Sequence, residues 1–210
     1  MILGKVEVRT AKGRVHHGGV TVDALNGLVA RARAGHDEAL EGLYRELHPA
    51  LVGFLTGLAP LEAEDLAAET WIDAAGCLGS FAGDGADFRR LLFTIARRRA
   101  IDDGRKRRRR RTEPSDLTDL PGLAAADDPG ALVADVDSSR RAIRQIADLL
   151  RPDEAEIVLL RVVAGLTVGE VARVVGRSPA SISLLQHRAL RRLAARMGTR
   201  PSSEPESSFR

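Results

Sequence analysis

The stretch LTVGEVARVVGRSPASISLLQHRALRRLAARM, Leu166 to Met197, decides the fold class, because it holds two helix starts and one helix stop in close succession. Thr167 followed three residues later by Glu170 is a capping box: the hydroxyl accepts from the third backbone amide, and the carboxylate accepts from the amide of the cap. Val168, Val171, Ala172 and Val175 recur at helical spacing, and Gly176 is a residue able to take positive φ and end the helix. Ser178 before Pro179 marks the next start, since proline lacks an amide that would go unbonded there. Gly176 to Ser178 thus separates two helices by the spacing of a helix-turn-helix. In the second helix Ile182, Leu185, Ala189 and Leu193 can face inward, leaving Ser183, His187, Arg188, Arg191 and Arg192 on or near the opposite side. The N-terminal end of such a helix enters a major groove, and arginines further along reach phosphates. The other account of this stretch is an ordinary helix pair with a solvated cationic face, so the rest of the chain must decide.

Composition narrows the class. Hydrophobic residues make up 44% of the 210 and aromatics only 3%, so Leu, Ile, Val and Ala must fill the cores of one or two domains. The net charge of +3 is small, but its sign is unevenly placed. A single cysteine, Cys77, rules out an internal disulfide and a cysteine-based zinc site, which fits a reducing cytoplasm. No apolar run has the length of a membrane span, and MILGKVEVRTAKGR is too poor in apolar residues for a signal peptide. The reading is a cytoplasmic protein with no membrane insertion and no cofactor.

Outward from the helix-turn-helix, the rest of the chain reads as helices broken once. Residues 1–22 form an extension whose pair His16, His17 has no companion ligands. Helices are expected from Asp23 to Gly35, from Asp37 to Leu58, and from Pro60 onward through LEAEDLAAETWIDAAGCL. Leu40, Leu43, Tyr44, Leu47, Leu51, Phe54 and Leu55 read as core on the second of these. On the third, Leu61, Leu66, Trp71, Ile72 and Ala75 form the apolar side opposite an acidic face of Glu62, Glu64, Asp65, Glu69 and Asp73. GSFAGDGADF, residues 79–88, lacks the lysine of a phosphate-binding loop. FRRLLFTIARRRAIDDGRKRRRRR from Phe88 places Phe88, Leu91, Leu92, Ile95 and Ile101 inward, and its arginines, with the run Arg105 to Arg111, make an electrostatic footprint for a polyanion. Residues 112–137 then hold three prolines, seven acids and no basic residue, which reads as a linker. Helices resume from Ser138, and Pro152 starts one with Asp153, Glu154 and Glu156 in or near its first turn. The Ser- and Pro-rich tail, 199–210, carries no readable function.

Three of these stretches in this order resemble the sigma-70 family, specifically its small extracytoplasmic-function (ECF) members. AEDLAAETWIDA from Ala63 is similar to the family's core-polymerase-binding helix, FRRLLFTIARRRAIDDGRKR from Phe88 to its −10 helix, and LRPDEAEIVLLRVVAGLTVGEVARVVGRSPASISLLQHRALRRL from Leu150 to its −35 domain. The resemblance implies an all-α chain with two small helical domains joined by a flexible acidic linker, at 23–111 and 138–198. It implies a sigma factor, without catalytic residues, that binds core RNA polymerase, recognises −35 and −10 promoter elements and promotes melting. Asp65, Glu69 and Trp71 would belong to the surface or frame that docks on the clamp helices of the largest polymerase subunit, with the flap of the second largest as a further contact. Ser80, Phe81 and Asp84 would capture a flipped −10 base, with Arg98 and Asp102 on the helix beside them and Arg97 and Arg105 as further −10 contacts. At the −35 element the carry-over falls on Thr167, Arg177, Ser183, Leu184, His187, Arg188, Arg191 and Arg192.

The chain departs from the family at Leu91, often tryptophan, at Arg98, often asparagine, and at Ser183 and Leu185, where basic residues are common. Gln186 takes a position usually apolar, which suits a hydrogen bond within the domain. An anti-sigma partner is left open. The alternative reading is an autonomous helix-turn-helix regulator that needs no polymerase. A recombinase with Tyr44 as nucleophile is a weaker one, since Tyr44 sits at core spacing.

Overall fold

The computed structural model of the protein describes residues 22–112 and 131–197, which form eight α-helices and no strand. The first four are α1 (Val22–Arg33), α2 (Asp37–Leu58), α3 (Ala63–Leu78) and α4 (Gly85–Thr112). The other four are α5 (Ala131–Asp148), α6 (Pro152–Val162), α7 (Val168–Val175) and α8 (Pro179–Met197). The extension at 1–21, residues 113–130 and the tail from 198 lie outside the described residues.

Local chemistry accounts for most of the helix ends. Gly35 takes φ +85° after α1, a conformation that other residues rarely adopt. Pro60 heads a turn instead of opening α3, which starts at Ala63 once the Ala59 carbonyl has bonded the Glu62 amide. α5 starts at Ala131, inside the stretch read as linker, because residues 131–137 hold neither proline nor glycine to stop a helix. α4 is continuous through the arginine run to Thr112, and cations at a helix C-terminus complement its dipole.

α1 to α4 pack around Leu43, Leu47, Leu51, Phe54, Leu66, Trp71, Phe88 and Leu92, with Phe54 and Phe93 meeting edge to face at 5.5 Å. In the second group Ile157, Leu160, Leu166, Val171 and Ile182 are buried together. The two helical domains also pack on each other: α5 and α6 lie against α2, α7 lies against α4, and buried apolar residues run continuously from one to the other. The seat on α2 is made by two glycines. A Cβ at Gly57 would stand 2.4 Å from Leu159 Cδ1, and one at Gly53 would stand 3.1 Å from both Ile143 Cδ1 and Val163 Cγ1. Polar bonds flank this seat. Arg140 of α5 donates to Glu64 of α3 at 2.6 Å, and Arg97 of α4 donates to Glu156 of α6 at 2.5 Å.

Candidate nucleic-acid interface and docking groove

The helix-turn-helix stands as the capping pattern requires. Glu170 N donates to Thr167 Oγ1 at 3.3 Å and Thr167 N to Glu170 Oε2 at 2.7 Å, while Gly176 takes φ +73°. Ser181 N donates to Ser178 Oγ at 3.2 Å, capping α8 ahead of Pro179. α8 buries Ile182 and Ala189 and turns Ser183, Leu184, His187, Arg188 and Arg191 outward as one exposed face. Thr167 is exposed but spent on its cap, and Arg177 is exposed in the turn, 4.0 Å from Asp153. Arg192 is placed differently from the outward position expected of it. Its Nε donates at 2.9 Å to Glu154, whose side chain is only 2% exposed. Burial pushes the Glu154 pKa up, yet hydrogen bonds from the Arg151 amide and from Arg192 hold it below the usual glutamate value. Gln186 bonds within the module as its position suggested, accepting from Arg161 Nε at 3.3 Å.

At the head of α4, Asp84 and Asp87 cap the helix reciprocally. Asp87 N donates to Asp84 Oδ1 at 2.8 Å, and Asp84 N to Asp87 Oδ2 at 3.4 Å. Arg90, bonding Asp87 at 2.6 Å, is the main reason that carboxyl is held below its ordinary pKa. The loop is pinned from behind by Asn26, whose Oδ1 accepts from Gly85 N at 2.8 Å. Ser80 is exposed, and Phe81 is half-buried, edge-on to Phe88 at 5.7 Å. Arg98 is exposed, and Asp102 accepts from Arg105 at 3.4 Å. Arg98 and Asp102 follow Asp84 by fourteen and eighteen residues, roughly 20 and 27 Å along the axis of α4. Arg97 faces the second module, with Glu156 as its partner.

α3 differs most from its sequence reading. Trp71 is buried, a frame residue, whereas Ile72 and Leu61 are 72% and 88% exposed. Asp65 is exposed, and Glu69 and Asp73 both accept from Arg99 of α4, so much of the acidic face is bound within the module. Tyr44, expected in the core, is 44% exposed and stacks on His48 with ring centroids 4.3 Å apart. Leu40, Tyr44, Trp71, Ile72 and Ala75 line an open groove of about 640 Å³ between α2 and α3, rimmed by Asp37, Glu38 and Glu41. Spacing along α3 could not show that Ile72 stands uncovered among the described residues. Among the described residues no cluster of side chains could hold a metal ion and no helix is long and apolar enough to cross a membrane.

A capped helix-turn-helix whose exposed face carries Arg188 and Arg191, joined to a helical module with a second basic helix, has the build of a DNA-binding protein. Residues 43–111 match the family described as Sigma-70 region 2, and residues 140–193 match Sigma-70, region 4. The ECF RNA polymerase sigma factor SigD of Mycobacterium tuberculosis is 30% identical over 178 residues, covering 81% of this chain and 82% of SigD. The ECF RNA polymerase sigma factor BldN of Streptomyces coelicolor is 33% identical over 172 residues, 80% of this chain, which spans 63% of BldN. The structure of CnrH in complex with the cytosolic domain of CnrY shares the fold, with a TM-score of 0.55 at 22% identity over 84% of this chain and 98% of that one. The chain belongs to the ECF RNA polymerase sigma factors of the sigma-70 family and is a promoter-recognising transcription initiation factor.

Proposed function

We propose that the chain docks on core RNA polymerase through the groove between α2 and α3 and the exposed Asp65 further along α3, and reads promoter DNA through α8 at the −35 element and the head and outer face of α4 at the −10 element. The observation that carries the reading is the outer face of α8: Ser183, Leu184, His187, Arg188 and Arg191 are exposed on a helix oriented by two caps and a left-handed glycine. An α-helix fits the major groove, and a face with few charges and one exposed leucine reads base edges and thymine methyls while the arginines hold phosphates.

The groove supplies an apolar floor with an acidic rim, complementary to an amphipathic helix that carries basic flanks. This suits the clamp helices of the largest polymerase subunit, with the flap of the second largest meeting the second module. An anti-sigma protein seated in the same groove would compete with polymerase. Asp65 contributes surface charge, Trp71 supports the groove from below, and Glu69 holds Arg99. Ser80, Phe81 and Asp84 form a rigid shelf for an unstacked base, while Arg98 and Arg105 serve phosphates. The bond-making chemistry belongs to polymerase, and the protein works in the cytoplasm without a cofactor.

Mixing the purified chain with core polymerase, footprinting the holoenzyme on genomic DNA and transcribing from the recovered promoters tests the reading. Specific transcripts that require the chain support it. Sequence-specific DNA binding by the chain alone, with no association with core, would instead make it an autonomous regulator.

A further inference from the structure

The leading half of α8 carries no charge. From Pro179 to Gln186 every side chain is neutral, and the first guanidinium on the helix is that of Arg188. Several polar side chains at this end are bonded within the fold. Ser178 and Ser181 bond each other at 2.9 Å, Ser178 also caps the helix, and Gln186 accepts from Arg161 at 3.3 Å. Ser183 and His187 stand exposed. Between them lies Leu184, a large apolar side chain left 50% exposed. It follows the buried Ile182 by two residues, about 200° around the helix, so it points away from the core. Ala180, one turn before it, and Arg191, two turns after it, share that face. The face is held in one orientation, because α6 ties α8 at two places, through Arg161 to Gln186 and through Glu154 to Arg192.

Base pairs show the major groove a pattern of donors and acceptors, and the 5-methyl of thymine is the apolar group among them. A leucine set against an amino or carbonyl edge strips its water and returns no hydrogen bond. Set against a methyl, it removes apolar surface from water on both sides. We propose that Leu184 is a specificity-determining residue that packs on the methyl group of a thymine. The −35 element of this protein then holds thymine at one fixed place and is recognised there by shape. Ser183 and His187, on either side of Leu184, supply hydrogen bonds to neighbouring base edges, and Arg188 and Arg191 hold phosphates. The preference for thymine is independent of salt, because an apolar contact releases no counterion, while the overall affinity falls with salt through the arginines.

This role rests on the reading of α8 as the −35 contact, and two variants keep the two distinguishable. Holoenzyme made from the full chain and core polymerase is footprinted on genomic DNA. Thymines of the upstream protected element are then replaced one at a time, on either strand, by deoxyuridine, which lacks only the methyl. One replacement should weaken binding about fourfold, the loss of one buried methyl, and by the same factor at about 50 mM and about 200 mM salt. Leu184→Asn, a surface substitution of nearly equal size, should bind the thymine and deoxyuridine promoters alike. Arg188→Ala should weaken both promoters equally and preserve the ratio between them. An element in which no deoxyuridine replacement matters, or in which the ratio survives Leu184→Asn, would overturn the role of Leu184 and leave α8 as the reader. If Leu184→Asn and Arg188→Ala both bind every promoter as the parent does, α8 is not the −35 contact, and the role of Leu184 falls with it.

Discussion

Arg192 and Arg191 are neighbours in sequence with opposite fates, and the difference lies in what the helix places beneath each. Arg191 is exposed, whereas Arg192 reaches across to the buried carboxylate of Glu154. A buried carboxylate that loses its cation keeps its desolvation cost and forfeits a charge-assisted hydrogen bond. Arg192→Ala should therefore destabilise the protein by about 2 kcal/mol in urea unfolding followed by circular dichroism, and Arg191→Ala by less than about 0.5 kcal/mol. The pH dependence carries a definite sign. The folded pKa of Glu154 lies below its ordinary value of 4.5, so its stabilisation is present above that pH and is lost as pH falls through the folded value. The gap between parent and Arg192→Ala should be full at pH 7 and shrink below about pH 4.5. An unchanged gap at acid pH would place the cost elsewhere. Periodicity alone put both arginines near the outer side, because helical spacing resolves faces and not the partner across a gap of 38 residues. Gln186 was readable for the converse reason: an amide at a half-buried position must find a bond inside its own domain.

At the scale of elements, what was legible followed from how local the determining chemistry is. Thr167, Glu170, Gly176, Ser178 and Pro179 act within four residues of themselves, so α7, the turn and the start of α8 could be read before any fold was in view. At Gly176 a Cβ would meet nothing within 4 Å, so Gly176→Ala suffers only the left-handed strain, about 1 kcal/mol, and Gly176→Asn less. Thermal unfolding checks the order Gly, Asn, Ala, and equal stability of the three would mean that the turn relaxes. α2 and α3 were harder to read, since a pattern of apolar residues marks a face without saying whether anything covers it. Tyr44, read as core, and Leu61 and Ile72, read as the apolar side of their helix, all stand at the surface. Their exposure makes them useful for testing the docking groove. Ile72→Asp should leave the melting temperature within about 2 °C of the parent, because a surface substitution outside caps and cores changes stability little. It should nevertheless abolish co-purification with core polymerase, and an Ile72→Asp chain that still binds core would remove the groove from the docking surface.

At the scale of the whole molecule, the sequence divides the chain at an acidic segment, while the structure joins the two sides through contacts that no local signal announces. Glu64 and Arg140 are 76 residues apart, and Gly53 and Gly57 look like weak points in α2 until α5 and α6 are laid across them. Glycine inside a helix costs up to about 1 kcal/mol relative to a better helix former, and here Gly53 within α2 and Gly57 in its last turn leave room for the close approach of α5 and α6. That makes Gly57→Leu a probe of coupling between modules: within α1 to α4 it favours the helix, and the Cβ it adds stands 2.4 Å from Leu159 Cδ1. Because one apolar core crosses the interface, the parent should unfold in urea as a single transition. The sole tryptophan, Trp71, reports on the first module by fluorescence, while circular dichroism reports on the helices of both. The two probes should coincide in the parent and separate in Gly57→Leu, with the second module melting earlier by circular dichroism and Trp71 holding to a later midpoint. Coincident curves in the variant would mean that the modules remain one cooperative unit even with the seat blocked.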